Sequence, residues 1–258
     1  MIDVPRILEI GRRSSARVGV GLPKGLVDSA KRQLAEHHSE LRIDTFDDPR
    51  FLVLALKNGT IDAAVRGTMS SAKVLGELKR EFELKEIMRT AILEDSKGKQ
   101  FLLTPVGIDE GTTLESRLKL VLSSLSYFSA AGWRLEVGVL SKGRLEDKGR
   151  GKEIEASLAE GEKLVQRLRK DGMKAEHRGI LLEEAVSKAD IVVAPDGVSG
   201  NLIFRAMHYV GGGKAFGAPV VNMKKVFIDT SRAKTDFTDS ILLAAGLVSV
   251  KAGLQKRS

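Results

Sequence analysis

Short apolar runs alternate with longer amphipathic stretches along most of the chain, and each pair reads as a strand followed by a helix. "ARVGVGL" (16–22) predicts a strand and "PKGLVDSAKRQLAEHH" (23–38) a helix with Pro23 near its first turn. "LRIDTF" (41–46) is a second strand, and "PRFLVLALKNG" (49–59) a helix stopped by Asn58-Gly59, the usual left-handed ending. "TIDAAVRG" (60–67) and "TMSSAKVLGELKREF" (68–82) repeat the pair. Strand, helix, strand, helix in this order predicts parallel strands joined by crossover helices.

The second half continues in the same style. "KQFLLTPVG" (99–107) precedes a helix over 113–132, and "WRLEVGVL" (133–140) is a strand that runs into the polar loop "SKGRLEDKGRGKE". The helix over 154–172 places Leu158, Gly161, Leu164, Val165 and Leu168 on one face. After "AEHRGILLEEAVSKA" come the strand "DIVVAP" (190–195) and a loop, Pro195-Asp196-Gly197-Val198-Ser199-Gly200-Asn201. Linker signals are weak. Glu94 to Gly98 and the region near 218–222 are the best division points, giving a discontinuous first subdomain (1–94 plus 222–258) and a second over 95–221.

A chain of 258 residues is long enough to bury one large core or two modest ones. It contains no cysteine, which removes disulfides, thiolate metal sites and a covalent thiol nucleophile together. The longest apolar run, "ILLAAGLVSV" (241–250), is far shorter than the roughly 18 residues of a membrane span. The start, "MIDVPRILEIGRR", carries Asp3 and Glu9 where a signal peptide would be basic and then apolar. A cytoplasmic protein with no membrane partner is expected. The formal charge is +8, but acids are interleaved with the bases, and two tyrosines and one tryptophan leave little for stacking on nucleotides. The excess therefore suits a phosphorylated small molecule better than nucleic acid.

In an open parallel sheet, ligands sit where strands end and loops pass into helix N-termini. Four such loops are unusually polar. "VRGTMSSA" offers Arg66 as a planar donor fork, Gly67, and the hydroxyls of Thr68, Ser70 and Ser71. "LSKGRLEDKGRG" (140–151) supplies Ser141, Lys142 and Arg144. In "PDGVSGN", Gly197 and Gly200 allow close backbone approach, and Ser199 or Asn201 can cap the next helix, whose free amides attract an anion. "IDTSRAKTDFTD" (228–239) sets Ser231 and Arg232 before Asp236 and Asp239, a hydroxyl, a guanidinium and carboxylates within a few residues. Each loop also has a plain reading as a capped turn or a solvated surface.

Other chemistries lack their motifs. There is no P-loop run, and "GVGLPKG" has neither that spacing nor a dinucleotide fingerprint. "LEIGRR" begins like the glycine-rich motif of S-adenosylmethionine-dependent methyltransferases, but Arg13 and Ser14 stand where glycines should follow. No corrinoid D-x-H-x-x-G run is present, and His37, His38, His177 and His208 form no metal-ligand spacing, so no metal is expected.

From about residue 60 onward the chain resembles the phosphate acetyl/butyryltransferase family, which includes PlsX-like acyl-phosphate-forming enzymes. The resemblance rests on Pro195-Asp196, Gly200-Asn201 and "RAMHYVGGGKAFG", on "GAPVVNMKKVFIDTSR", and on "VGVLSKGRLEDKGRGKEIE". Within that superfamily the whole chain most resembles a methyltransferase-related group from methanogenic archaea. The resemblance implies two α/β/α subdomains with a cleft between them, the isocitrate/isopropylmalate dehydrogenase-like fold, and a homodimer. It implies acyl transfer to or from phosphate, with no bound cofactor and coenzyme A as a substrate. Ser231 and Arg232 match the pair that holds the acyl phosphate. Thr238 stands where the family has the aspartate that takes the thiol proton, which moves that role to Asp239, with Asp236 second. Ala233 replaces the glycine after Ser-Arg, Lys142-Gly143-Arg144 replaces a Ser/Thr-rich stretch, and Arg66 replaces a serine. These departures keep a phosphate site better than a coenzyme A site. Two further readings stand beside transacylation: a methyltransferase or its partner in methanogen one-carbon metabolism, and a non-catalytic sensor of a phosphorylated metabolite.

Overall fold

The computed structural model describes residues 2–35, 40–129 and 132–255. The expected helix over 23–38 is seen as Lys24–Ala35; His37 and His38 lie outside the described residues. The chain is α/β and divides into two compact units. One comprises Met1–Ile2 and Met88–Ala215; the other comprises Asp3–Ile87 and Phe216–Ser258.

The discontinuous unit is built on β1 (Arg17–Val20), β2 (Arg42–Thr45), β3 (Ala63–Val65), β9 (Lys214–Pro219, from Phe216 on) and β10 (Val226–Asp229), ordered β2-β1-β3-β10-β9. The first four in that order are parallel and β9 is antiparallel to β10. Helices α1 (Val4–Arg12), α2 (Lys24–Ala35), α3 (Pro49–Asn58), α4 (Ser71–Glu81) and α9 (Thr238–Gln255) complete it. The sequence explains the helix ends. Asp48 caps α3 by accepting from Arg50 N at 2.7 Å, and Gly59 ends it at φ 75°, where a side chain would be strained. One side of the core gathers Leu52, Leu56, Ile61, Val74, Leu78 and Phe227, all with no exposed surface. The apolar run "ILLAAGLVSV" proves to be the middle of α9, with Ile241 through Leu247 buried, as expected of a helix apolar all round. It packs on α1 through two glycines: a Cβ at Gly11 would stand 2.1 Å from Leu242 O, and one at Gly246 2.2 Å from Ile7 O.

The other unit carries β4 (Ala91–Glu94), β5 (Gln100–Thr104), β6 (Val137–Leu140), β7 (Ala175–Gly179) and β8 (Ile191–Val193) in the order β4-β5-β8-β6-β7. Helices α5 (Leu114–Ser129), α6 (Lys152–Lys170), α7 (Leu182–Lys188) and α8 (Gly197–Arg205) flank it, and a π-helical turn over Ala206–Val210 extends α8. The expected apolar face of α6, Leu158, Gly161, Leu164, Val165 and Leu168, is buried. The sheets are not wholly parallel as the sequence pattern predicts, because β4 pairs antiparallel with β5 and β9 with β10. The β4–β5 pairing also keeps both strands in one unit, so the boundary falls at Ile87/Met88 and, on return, at Ala215/Phe216.

Candidate functional site

In the discontinuous unit the register brings three strand ends level. Val20 is paired with Val65 and Val65 with Ile228, so the chain leaves β1, β3 and β10 at Gly21, Arg66 and Asp229 side by side. Backbone bonds hold the departing loops together: Gly21 N donates to Val65 O, Arg66 N to Ile228 O and Thr68 N to Gly21 O, each at 3.0 Å. Gly67 has φ +64°, and a Cβ there would meet Gly21 O at 2.3 Å, so this contact requires glycine twice over.

Arg66 is committed inward. It is 5% exposed, pairs through Nε with Asp229, and donates its terminal nitrogens to the carbonyls of Thr230 and Met69. The Thr230 hydroxyl donates to Gly67 O at 2.9 Å. The guanidinium expected to hold phosphate therefore serves as a cross-tie between the loops after β3 and β10. Thr68, Ser70 and Ser71 are half-buried around the start of α4, and Ser70 stands at its N-cap without a side-chain capping bond. The neighbouring guanidinium of Arg232 is different. It is exposed and has no hydrogen bond or ion pair among the described residues.

Ser231, half-buried beside Arg232, accepts from Ala233 N at 3.3 Å. Thr238 is buried and its hydroxyl donates to Gln33 Oε1 at 2.9 Å, so it faces α2. Asp236 accepts from Thr238 N at 2.9 Å and closes the turn before α9, while Asp239 lies half-buried in the first turn. Lys234, which the sequence reading passes over, joins this group. Its Nζ donates to Ser240 Oγ at 2.9 Å, and Ser240 donates to Phe216 O at 2.6 Å. Burial pulls Lys234 down to about 8, against the opposing charges of Asp239 and Asp236. No sequence signal marks it, because the shift comes from the fold around the amine.

The other unit has its own cluster at the carboxyl ends of β5, β8 and β6. Thr104, Val193 and Val139 are level across the three strands. The loop that follows β8 is shaped by protein backbone. A Cβ at Gly197 would stand 1.7 Å from Gly107 O and one at Gly200 1.8 Å from Pro105 O, so these glycines seat α8 on the loop after β5. Asn201 joins the same contact, with Nδ2 donating to Val106 O at 3.0 Å. The cap of α8 is Asp196 rather than Ser199 or Asn201: its carboxylate accepts from Ser199 N at 2.7 Å. Burial raises the Asp196 pKa, but Ser199 and the Lys142 ammonium outweigh it and hold the carboxyl below its ordinary range.

Ser141 is buried at the end of β6. Its hydroxyl donates to Gly143 O at 3.2 Å and lies 3.1 Å from His177 Nε2. His177 rests on Gly161, where a Cβ would stand 2.5 Å from the ring, and burial lowers its pKa against the pull of Glu162. An imidazole held behind the β6 loop is a second feature the sequence did not announce, since His177 sits in a polar stretch of β7. Lys142 bridges Glu153 at 2.6 Å and Asp196 at 3.6 Å, coupling the loops after β6 and β8, while Arg144 is exposed. His208 Nδ1 donates to Gly213 O at 3.0 Å. Among the described residues no group of His, Asp and Glu is arranged to hold a metal ion, and no helix is long and apolar enough to cross a membrane.

A protein from Methanosarcina barkeri, provisionally named methyltransferase mtx subunit X, is 37% identical over 238 residues, covering 92% of this chain and 88% of that relative. The chain belongs to the MtxX family. Its Methanosarcina mazei relative is 41% identical over 205 residues, 80% of this chain and 73% of the relative. No general family model matches the chain. Among solved structures, the chain shares its fold with a phosphotransacetylase from Streptococcus pyogenes (TM-score 0.68, 13% identity, 98% of this chain and 100% of that one). A branched-chain phosphotransacylase from Enterococcus faecalis is similar to the same degree (TM-score 0.67, 18% identity, 92% and 99%). A 4-hydroxythreonine-4-phosphate dehydrogenase from Klebsiella pneumoniae follows at TM-score 0.56 and 10% identity over 95% of this chain and 86% of that one. The phosphotransacetylase-like α/β fold inferred from the sequence is thus the fold of this chain.

Proposed function

We propose that this protein binds an acyl phosphate at the loop after β10 and transfers the acyl group between phosphate and a thiol, with coenzyme A as the thiol. The observation that carries the proposal is the contrast between two arginines at one strand end: Arg66 buried and committed to Asp229, Thr230 and Met69, Arg232 exposed with no hydrogen bond or ion pair among the described residues. A planar guanidinium in that state suits two phosphoryl oxygens at once. Arg232 neutralises the phosphate as it departs, and Ser231 donates to the charge that develops on the carbonyl oxygen. The thiol gives its proton to Asp239, sulfur bonds to the acyl carbon, the bond from that carbon to the phosphate oxygen breaks, and inorganic phosphate leaves. Positioning and charge stabilisation supply the catalysis, since acyl phosphates need no covalent activation. Lys234, partly neutral near pH 8, feels the charges of Asp239 and Asp236 and so stands electrostatically beside the proposed base. The same reading makes the chain a homodimer, for which sedimentation should give twice its 28.0 kDa mass.

The relatives' name favours a second reading, a methyltransferase or a partner of one. Melting temperatures with acetyl phosphate, coenzyme A and S-adenosylmethionine separate the two, because a ligand that binds only the folded state raises the melting point. A rise with acetyl phosphate that vanishes in Arg232→Ala supports the transacylase. A rise with S-adenosylmethionine alone supports methyl transfer. Tight acyl-phosphate binding with no turnover identifies a sensor.

A further inference from the structure

At the end of the β4-to-β8 sheet opposite the loops described above, the structure holds a cavity of about 370 Å³ where β6, β7 and the chain entering β8 begin. Its apolar floor is formed by Val137, Met173, Ala175 and Ala189, and its walls carry four cations, Arg169, Lys174, Arg178 and Lys188, against two carboxylates, Glu136 and Glu176. The cavity lies beside β7, the outermost strand of this sheet.

The two arginines are incompletely used. Arg169 Nε donates to Ala175 O at 2.8 Å, which pins the guanidinium at the start of β7, and its terminal nitrogens have no partner among the described residues. Arg178 pairs with Glu176 and reaches Glu184 at 3.7 Å, yet its Nε is shielded from solvent and has no acceptor among the described residues. Both guanidinium groups line the cavity, and a planar guanidinium with donors to spare suits a carboxylate or phosphate group bound there. The lysines add long-range attraction: Lys174 and Lys188 are held only by solvent-exposed partners, Glu136 at 2.9 Å and Glu184 at 3.1 Å, and such pairs open readily.

We infer that this cavity is a second ligand site, for a small organic anion whose carboxylate or phosphate monoester group meets Arg169 and Arg178 and whose apolar body lies on Met173 and Val137. It is independent of the proposed acyl transfer and shares no residue with Arg232 or Ser231. Titration calorimetry with citrate and with glycerol 3-phosphate, on wild type, Arg169→Gln, Arg178→Gln and Arg232→Ala, tests it, with inorganic phosphate as the probe for the anionic group alone. Saturable binding of either probe should weaken about tenfold or more in both cavity variants and stay unchanged in Arg232→Ala. Addition of the bound probe to labelled wild type should move the Arg178 Nε–H resonance in an amide correlation spectrum. Arg169→Gln changes an exposed side chain, so it keeps the test open if Arg178→Gln does not fold. No saturable binding in the millimolar range, or binding that Arg232→Ala abolishes and the cavity variants leave intact, overturns the inference.

Discussion

Replacing Arg66 with methionine should destabilise the protein severely while leaving the exposed Arg232 in place. The guanidinium is 5% exposed and its ion-pair partner Asp229 7%, so the variant leaves a carboxylate and the Thr230 carbonyl facing a side chain that can donate nothing. Removing one partner of a buried ion pair costs roughly 3–5 kcal/mol. For a chain of this size each kcal/mol lowers the melting temperature by about 2–4 °C, so a drop of about 6–20 °C is expected by calorimetry. Coupling to Asp229 is testable in the same experiment: adding Asp229→Leu removes the stranded charge and should recover much of the loss, giving a large non-additive term. A melting temperature lowered by no more than about 1–2 °C, the roughly 0.5 kcal/mol that surface changes produce, would refute the cross-tie and return Arg66 to the ligand.

Arg232→Ala should leave the melting temperature within that surface range and lose a few kcal/mol of transition-state stabilisation, about a hundredfold or more in kcat/KM for acetyl phosphate. Gly200→Ala places a Cβ 1.8 Å from Pro105 O and should cost about 1–3 kcal/mol or more in a denaturant titration. Gly76→Ala, in the middle of α4 with nothing within 4 Å of the new Cβ, should instead stabilise by roughly 0.5–1 kcal/mol. Lys234 has a folded-state pKa lowered to about 8 from 10.5, so folding disfavours its charge. The unfolded chain then binds more protons between those values, and wild-type stability at this site rises as pH climbs through 8 towards 10.5. Lys234→Met should therefore gain on wild type near neutral pH and lose that advantage at high pH; equal differences at both would contradict the buried-amine account.

Periodicity and turn residues reveal the parallel strands, the face of α6 and the stop of α3, because local patterns decide them. The strands "AILE" and "KAFGAP" are not legible in the sequence, since the first is only four residues long and the second lacks strict apolar alternation and contains Gly217 and Pro219. Candidate residues divide in the same way. Ser231 and Arg232 fall at a strand end that the pattern alone predicts. Gly197, Gly200 and Asn201 read as a ligand loop or as a capped turn until the carbonyls of Pro105, Val106 and Gly107 occupy the space. Arg66 looked like a phosphate donor because no local signal announces Asp229, its partner 163 residues away.

The central claim is tested most directly by following thioester formation from coenzyme A and acetyl phosphate or butyryl phosphate with the purified protein, wild type beside Arg232→Ala. The account predicts turnover with release of inorganic phosphate in the wild type, and its loss in the variant at unchanged folding. No turnover with any acyl phosphate, or equal turnover by both proteins, contradicts it.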